Sequence, residues 1–211
     1  MRLIFWDVDT QRDFMEPGGA LYVAGAEALV PQLERLSRYA RTHGLPIVAS
    51  ACEHAEADAE ISSVPDYQHT FPPHCLRGTR GQQKIPATRL GRPIVLDNRR
   101  YDRRELESLL GPRPTEILIT KQMFDVFSNP ATATLLEVLC PESVVVYGVA
   151  QDVCVHHAIM GLASNSRRVF FVRDASRPID AEAATRCATL WQQRGVVFTT
   201  TDAIERGVAG P

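Results

Sequence analysis

The sequence predicts an α/β protein with a mostly parallel central sheet and helices on both faces. Two observations carry this. Short, continuously apolar runs recur along the chain, and segments of helical period separate them. The chain has 211 residues, 45% hydrophobic and 23% charged. That is ordinary globular composition and the size of about one domain on a scale of roughly 100–200 residues each.

The first apolar run is Leu3–Trp6, closed by Asp7. Leu29, Val30, Leu33, Leu36 and Tyr39 then fall at helical spacing within Ala26–Arg41, and Gly44 ends that helix. Pro46–Ser50 reads as the second strand. Further strands are expected at Ile94–Leu96, Glu116–Thr120, Ser143–Tyr147, Val169–Val172 and Val196–Thr199, with helices at Arg103–Leu110, Pro130–Leu139, Val153–Ser164 and Ala181–Arg194. Between Ser50 and Ile94 no period holds. That stretch is rich in proline, and four of the six histidines lie in or near it. An irregular segment of this length in a regular chain reads as a functional loop. Internal repeats, low-complexity tracts and composition breaks are not evident, so residues 1–211 read as one domain.

Charge and cysteine usage narrow the function classes. Lys plus Arg is 23 and Asp plus Glu is 25, giving a net charge of −2, so neither nucleic acid nor an anionic membrane is an expected partner. No apolar run approaches the ~18–20 residues of a membrane span. The first run meets a charge too early for a secretory leader. The five cysteines are scattered, odd in number and without CxxC pairing, which points to a reduced, cytoplasmic setting.

A sheet of this kind puts its site beyond the carboxyl ends of the strands, so the residues following each strand are the ones to inspect. After the first strand come Asp7, Asp9 and Asp13; the fourth strand runs into Lys121; after the Val-rich strand, Cys154 opens a helix. Singly, each has an ordinary reading: a solvated turn acid, a surface lysine, a small buried thiol. Jointly, Asp9, Lys121 and Cys154 supply a base, an ammonium and a nucleophile. A thiol near its usual pKa of about 8.5 needs such help to attack at neutral pH, and a helix N-terminus adds to it.

Four segments then resemble the isochorismatase-like cysteine hydrolases, and among them the nicotinamidases. Val8–Phe14 is similar to the family's opening VDxQxDF. Phe71–Gly81 resembles the loop [WF]PPHCxxGTxG. Lys121 with Phe124–Pro130 resembles the lysine segment, and Gly148–Val155 resembles the nucleophile segment GVAxxxCV. The match runs in order from the first strand to at least Asp174. It implies an isochorismatase-like three-layer α/β sandwich and an Asp9–Lys121–Cys154 triad that hydrolyses a small carboxamide, nicotinamide first, through a thioester. It also implies a cis peptide at Val149–Ala150, an oxyanion hole from the N–H groups of Ala150 and Cys154, and substrate-binding aromatics at Phe14 and Phe71. A homo-oligomer is a further implication. Another hydrolase of the same superfamily, acting on a carbamoyl compound or isochorismate, or a catalytically silent scaffold member, is the alternative.

The resemblance also implies a divalent metal, with ligands carried onto Cys52, His54, Glu60 and His74. Cys52 stands where the family usually has Asp. A thiolate favours zinc or iron over harder ions; the alternatives are a site that lacks this ligand and is weak or empty, or one in which Glu53 substitutes after a small register shift. Trp6 and Trp191 read as core, and His156 and His157 as packing or interface residues turned away from Cys154. Cys75 is structural in the family pattern, and Cys140 and Cys187 have no assigned role. The basic tract Arg89, Arg92, Arg99, Arg100, Arg103 and Arg104 reads as a solvated face or a recognition surface for an anion or partner.

Overall fold

The computed structural model describes residues 2–164 and 167–207. Seven strands form one sheet: β1 (Leu3–Val8), β2 (Ile47–Cys52), β3 (Ile94–Leu96), β4 (Glu116–Lys121), β5 (Ser143–Val149), β6 (Arg168–Arg177) and β7 (Val197–Thr199). Their order is β3-β4-β2-β1-β5-β6-β7, and every neighbouring pair is parallel. The continuous apolar runs follow from this, because a central parallel strand is buried on both faces. In β1, Ile4, Trp6 and Val8 join one hydrophobic cluster and Phe5 joins the other.

The direction of travel along the sheet decides which face each connection covers. From β1 to β2 the chain moves one way, through α2 (Val30–Thr42), and from β2 to β3 it continues that way through the long loop. Leu33 and Leu36 of α2 share a cluster with Cys75, Ile85 and Leu90 of the loop. From β3 to β4, β4 to β5, β5 to β6 and β6 to β7 the movement reverses. The intervening helices α3 (Arg103–Leu110), α4 (Ala131–Leu139), α5 (Cys154–Ala163) and α6 (Ala181–Gln193) pack on the opposite face. Crossovers of a single hand require this division. The reversal falls between β1 and β5, where an open parallel sheet offers a crevice for ligands.

Several boundaries differ from the expected ones for physical reasons. Ala26–Leu29 is a 3₁₀ turn, and α2 begins at Val30 with Pro31 in its first turn, where a missing N–H is harmless. β2 and β4 run further than expected, so Cys52 and Lys121 are register partners at the ends of paired strands. Two short helices, α1 (Arg12–Met15) and α7 (Thr201–Glu205), were not expected, being too short to show a period. The loop between β2 and β3 is tied down by isolated bridges Gln11–Lys84, His54–Leu76 and Ile61–Phe71. Among the described residues, no helix is long and apolar enough to cross a membrane.

Candidate active site

The ends of four adjacent strands build the site. Val8 of β1 registers with Ser50 of β2 and with Gly148 of β5, and Cys52 of β2 with Lys121 of β4. Asp9 follows β1 directly with φ of 47°, a left-handed conformation that Asp tolerates better than most residues. Gly148 has φ of 117°, and a Cβ there would sit 2.1 Å from the Val8 carbonyl oxygen. Glycine is therefore what lets β1 and β5 close up beside Asp9. Beyond it the Val149–Ala150 peptide is cis, as the resemblance implied, and Cys154 opens α5.

Asp9, Lys121 and Cys154 converge. The Lys121 ammonium lies 2.9 Å from Asp9 Oδ2 and 3.8 Å from Cys154 Sγ, and it donates to the Met123 carbonyl at 3.1 Å. The second oxygen of Asp9 accepts from the Ser50 hydroxyl at 2.6 Å. Asp9, Ser50 and Lys121 have no exposed surface. Burial alone would drive the lysine neutral, but the facing charges of Asp9, Cys154 and Cys52 outweigh it and hold the ammonium well above its ordinary pKa.

Cys52 belongs to the same cluster. Its sulfur accepts from Lys121 Nζ at 3.0 Å, closer than Cys154 does, and lies 4.0 Å from Asp9 Oδ2. Coupling between the two neighbouring thiols pushes Cys154 well above and Cys52 well below the ordinary thiol range. Burial adds to the rise at Cys154, whereas at Cys52 the Lys121 charge works against burial. Gln11 fixes Cys52 in place: its side-chain amide donates to the Cys52 carbonyl at 2.7 Å and accepts from the Cys52 N–H at 2.7 Å.

Of the four metal-ligand candidates, Cys52, His54 and His74 present donor atoms that lie within 4.8 Å of one another, all buried. Glu60 adjoins the histidines, its Oε1 being 3.8 Å from His54 Nε2 and 3.7 Å from His74 Nε2. These separations are too long for hydrogen bonds. His74 directs Nδ1 at the Pro72 carbonyl, 2.8 Å away, which leaves Nε2 as the donor atom facing Glu60. His54 Nε2 and Glu60 Oε2 are buried without a hydrogen-bond partner. His54 Nδ1 has Asp58 Oδ2 at 3.4 Å but without hydrogen-bond alignment. Orphaned buried nitrogens and a carboxylate around one point are costly in a protein interior unless a cation is shared among them, so the residues present fit a divalent metal. Burial raises the Glu60 pKa despite Lys121 and the histidines.

A narrow, mostly apolar cleft opens above the cluster. Cys154, Ala150, Glu60 and His74 line it together with Phe14 and Phe71. Phe14 and Phe71 sit 5.3 and 6.4 Å from the His74 ring, centroid to centroid. Sequence reasoning did not single out Phe124, which also lines the cleft and contacts Phe71 at 6.5 Å; it does lie in the quoted lysine segment. Gln11 and Ser50 were likewise not singled out, although Gln11 lies in the opening motif. The ordinary reading of Asp7 as a solvated acid does not hold: it is 1% exposed and paired with Lys84 at 3.0 Å.

The remaining residues fall where expected. Trp6 and Trp191 are fully buried. His156 accepts from Trp191 Nε1 at 3.0 Å, and His157 packs on Phe124 at 4.8 Å. In the basic tract, Arg99 and Arg103 pair with Glu105 and Glu107 on the exposed side of α3.

A thiol facing a cleft, a buried lysine–aspartate pair and a Cys–His–His cluster thus meet at the switch point of a parallel α/β sheet. The chain belongs to the isochorismatase domain family, whose model matches residues 3–203. It is 38% identical over 81 residues to the nicotinamidase/pyrazinamidase of Mycobacterium tuberculosis, an alignment covering 38% of this chain and 42% of that protein. Less than half of that relative is thus matched. The fold superimposes on the pyrazinamidase of Pyrococcus horikoshii in complex with zinc with a TM-score of 0.75, at 23% identity, over 95% of this chain and 99% of the other. It also superimposes on N-carbamoylsarcosine amidase from Thermoplasma acidophilum with a TM-score of 0.71, at 20% identity, over 96% and 98% of the two chains.

Proposed function

We infer that this protein is a cysteine amidohydrolase that converts nicotinamide, or a closely related neutral heteroaromatic carboxamide, to the acid and ammonia. The observation that carries the reading is the contact of Lys121 with both Asp9 and Cys154 beneath a cleft that ends in a Cys–His–His cluster. The named relative with nicotinamidase/pyrazinamidase activity supports the substrate class.

Asp9 takes the Cys154 proton as the sulfur attacks the amide carbon. The N–H groups of Ala150 and Cys154 face the developing oxyanion, a contribution of about 3 kcal/mol per donor in comparable sites. Asp9 then returns the proton to the leaving nitrogen, and ammonia departs from a thioester on Cys154. Water, losing its proton to Asp9, cleaves the thioester and regenerates the thiol. Lys121 pairs with Asp9 and offsets negative charge on the sulfur. Cys52, His54, Glu60 and His74 are the residues that would hold a divalent metal, zinc or iron by their donor types, and such an ion supplies a Lewis acid for a ring nitrogen. Phe14 and Phe71 supply apolar faces for the ring.

The cleft walls favour a neutral substrate over a carbamoyl amino acid or isochorismate. Among the described lining residues none is Lys or Arg, so a substrate carboxylate would enter unpaired. Ammonia release decides between these readings. Nicotinamide is expected to turn over at least about tenfold faster than benzamide, which lacks the ring nitrogen, and N-carbamoyl amino acids not at all. Cys154→Ala abolishes turnover; ammonia release that persists in this variant refutes the mechanism. Metal analysis and the cobalt-substituted protein test the cluster: a thiolate-to-cobalt absorption band is expected and is lost in Cys52→Ser. All five cysteines are free, which agrees with a cytoplasmic setting, and light scattering checks the expected homo-oligomer.

A further inference from the structure

The cluster holds two sulfurs where amide hydrolysis needs one. Cys52 and Cys154 come from different strand ends and contact the same ammonium, at 3.0 and 3.8 Å. Cys154 lines the cleft and retains 8% exposure, whereas Cys52 lies behind it with none. This is the arrangement of an attacking thiol with a resolving thiol at its back. The other thiols are placed differently. Cys75 has its N–H held by Asp13 at 2.6 Å and its sulfur against the Gly81 carbonyl. Cys140 and Cys187 lie on α4's end and α6, their sulfurs against the Glu137 and Asp152 carbonyls.

We propose that Cys154 and Cys52 form a two-cysteine oxidation site that takes a hydroperoxide through the substrate cleft and closes to an internal disulfide. Asp9 takes the Cys154 proton as the sulfur attacks the O–O bond, and that proton goes to the leaving oxygen. One oxygen stays on sulfur as the sulfenic acid, and the other leaves and is protonated to water or alcohol. The Cys52 sulfur then attacks Cys154 Sγ; the S–S bond forms, the S–O bond breaks, and hydroxide leaves, taking a proton from solvent to become water. Two thiols lose two electrons and the hydroperoxide gains them. Lys121 lies against both sulfurs and stabilises each attacking thiolate. The closure ties up the nucleophile reversibly and keeps it from passing to the irreversible sulfinic acid. The inference rests on the thiol pair alone and not on the substrate assignment.

Peptide mapping tests it on the full-length protein, as purified and after dialysis against a chelator. Hydrogen peroxide is added, free thiols are blocked, and trypsin with Glu-C separates residues 42–53, carrying Cys52, from 143–167, carrying Cys154. The expected result is a linked 42–53/143–167 pair, two hydrogens lighter than its parts and cleaved by dithiothreitol. In Cys52→Ser, Cys154 should accumulate as sulfinic acid at least about tenfold faster than in the wild type, without reversal by dithiothreitol. Absence of the linked pair from both wild-type samples, or linkage of Cys154 to Cys75 instead, overturns the proposal. The wild-type map needs no variant to fold, and it does not depend on which amide is hydrolysed.

Discussion

Ser50 and Lys121 hold Asp9 from two sides, and the two contacts predict different losses. Ser50 donates to a buried carboxylate at 2.6 Å, and such a charge-assisted bond contributes about 1.5–3 kcal/mol. Ser50→Ala is expected to lower kcat by roughly one to two orders of magnitude while leaving KM near its original value. Ser50→Thr, which keeps the hydroxyl, should restore most of the rate. Lys121→Met leaves the buried Asp9 without its cationic partner. Urea denaturation should then report about 3–5 kcal/mol of lost stability, together with loss of turnover. A third residue behaves oppositely with pH. Burial raises the Asp7 pKa even though Lys84 works against it. The folded state therefore binds the Asp7 proton more tightly than the unfolded chain does. Relative to Asp7→Asn, stability should be highest below about pH 4 and fall as pH rises through the raised value. Thermal midpoints of the two proteins across that range check the sign.

Elements matter here through their ends. Gly148→Ala drives a Cβ to 2.1 Å from the Val8 oxygen, so β1 and β5 must part beside Asp9. The expected outcome is a large drop in thermal midpoint and loss of ammonia release. Gly44→Ala, also at positive φ but with open space around it, should lose only about 1–2 kcal/mol and keep its activity. The strands themselves were legible because parallel pairing demands continuous apolar runs, and β1, β3 and the start of β5 fell where those runs lie. Their carboxyl ends were less so. Ala51, Cys52 and Lys121 are strand residues whose small or polar side chains end the apolar signal before the hydrogen bonding ends. That shortfall concealed the approach of Cys52 to Lys121, since a residue's face and depth depend on how far its strand continues.

For the molecule as a whole, the strand-end rule was enough to bring residues 9, 121 and 154 together, because the fold fixes which termini share a rim. It could not supply contacts made across the irregular loop. The Asp7–Lys84 pair joins β1 to a segment without period, and no spacing rule links a strand acid to a lysine 77 positions later. His74 and Glu60 were found through the resemblance, not through periodicity, for the same reason.

β1 is the first strand in the chain and sits in the middle of the sheet, between residues 47–52 on one side and 143–149 on the other. During synthesis it therefore leaves the ribosome long before its second neighbour exists, with Phe5 and Trp6 still uncovered. A nascent chain halted before residue 143 should remain protease-sensitive and bind chaperones that hold exposed apolar segments, and resistance should appear only once β5 has emerged.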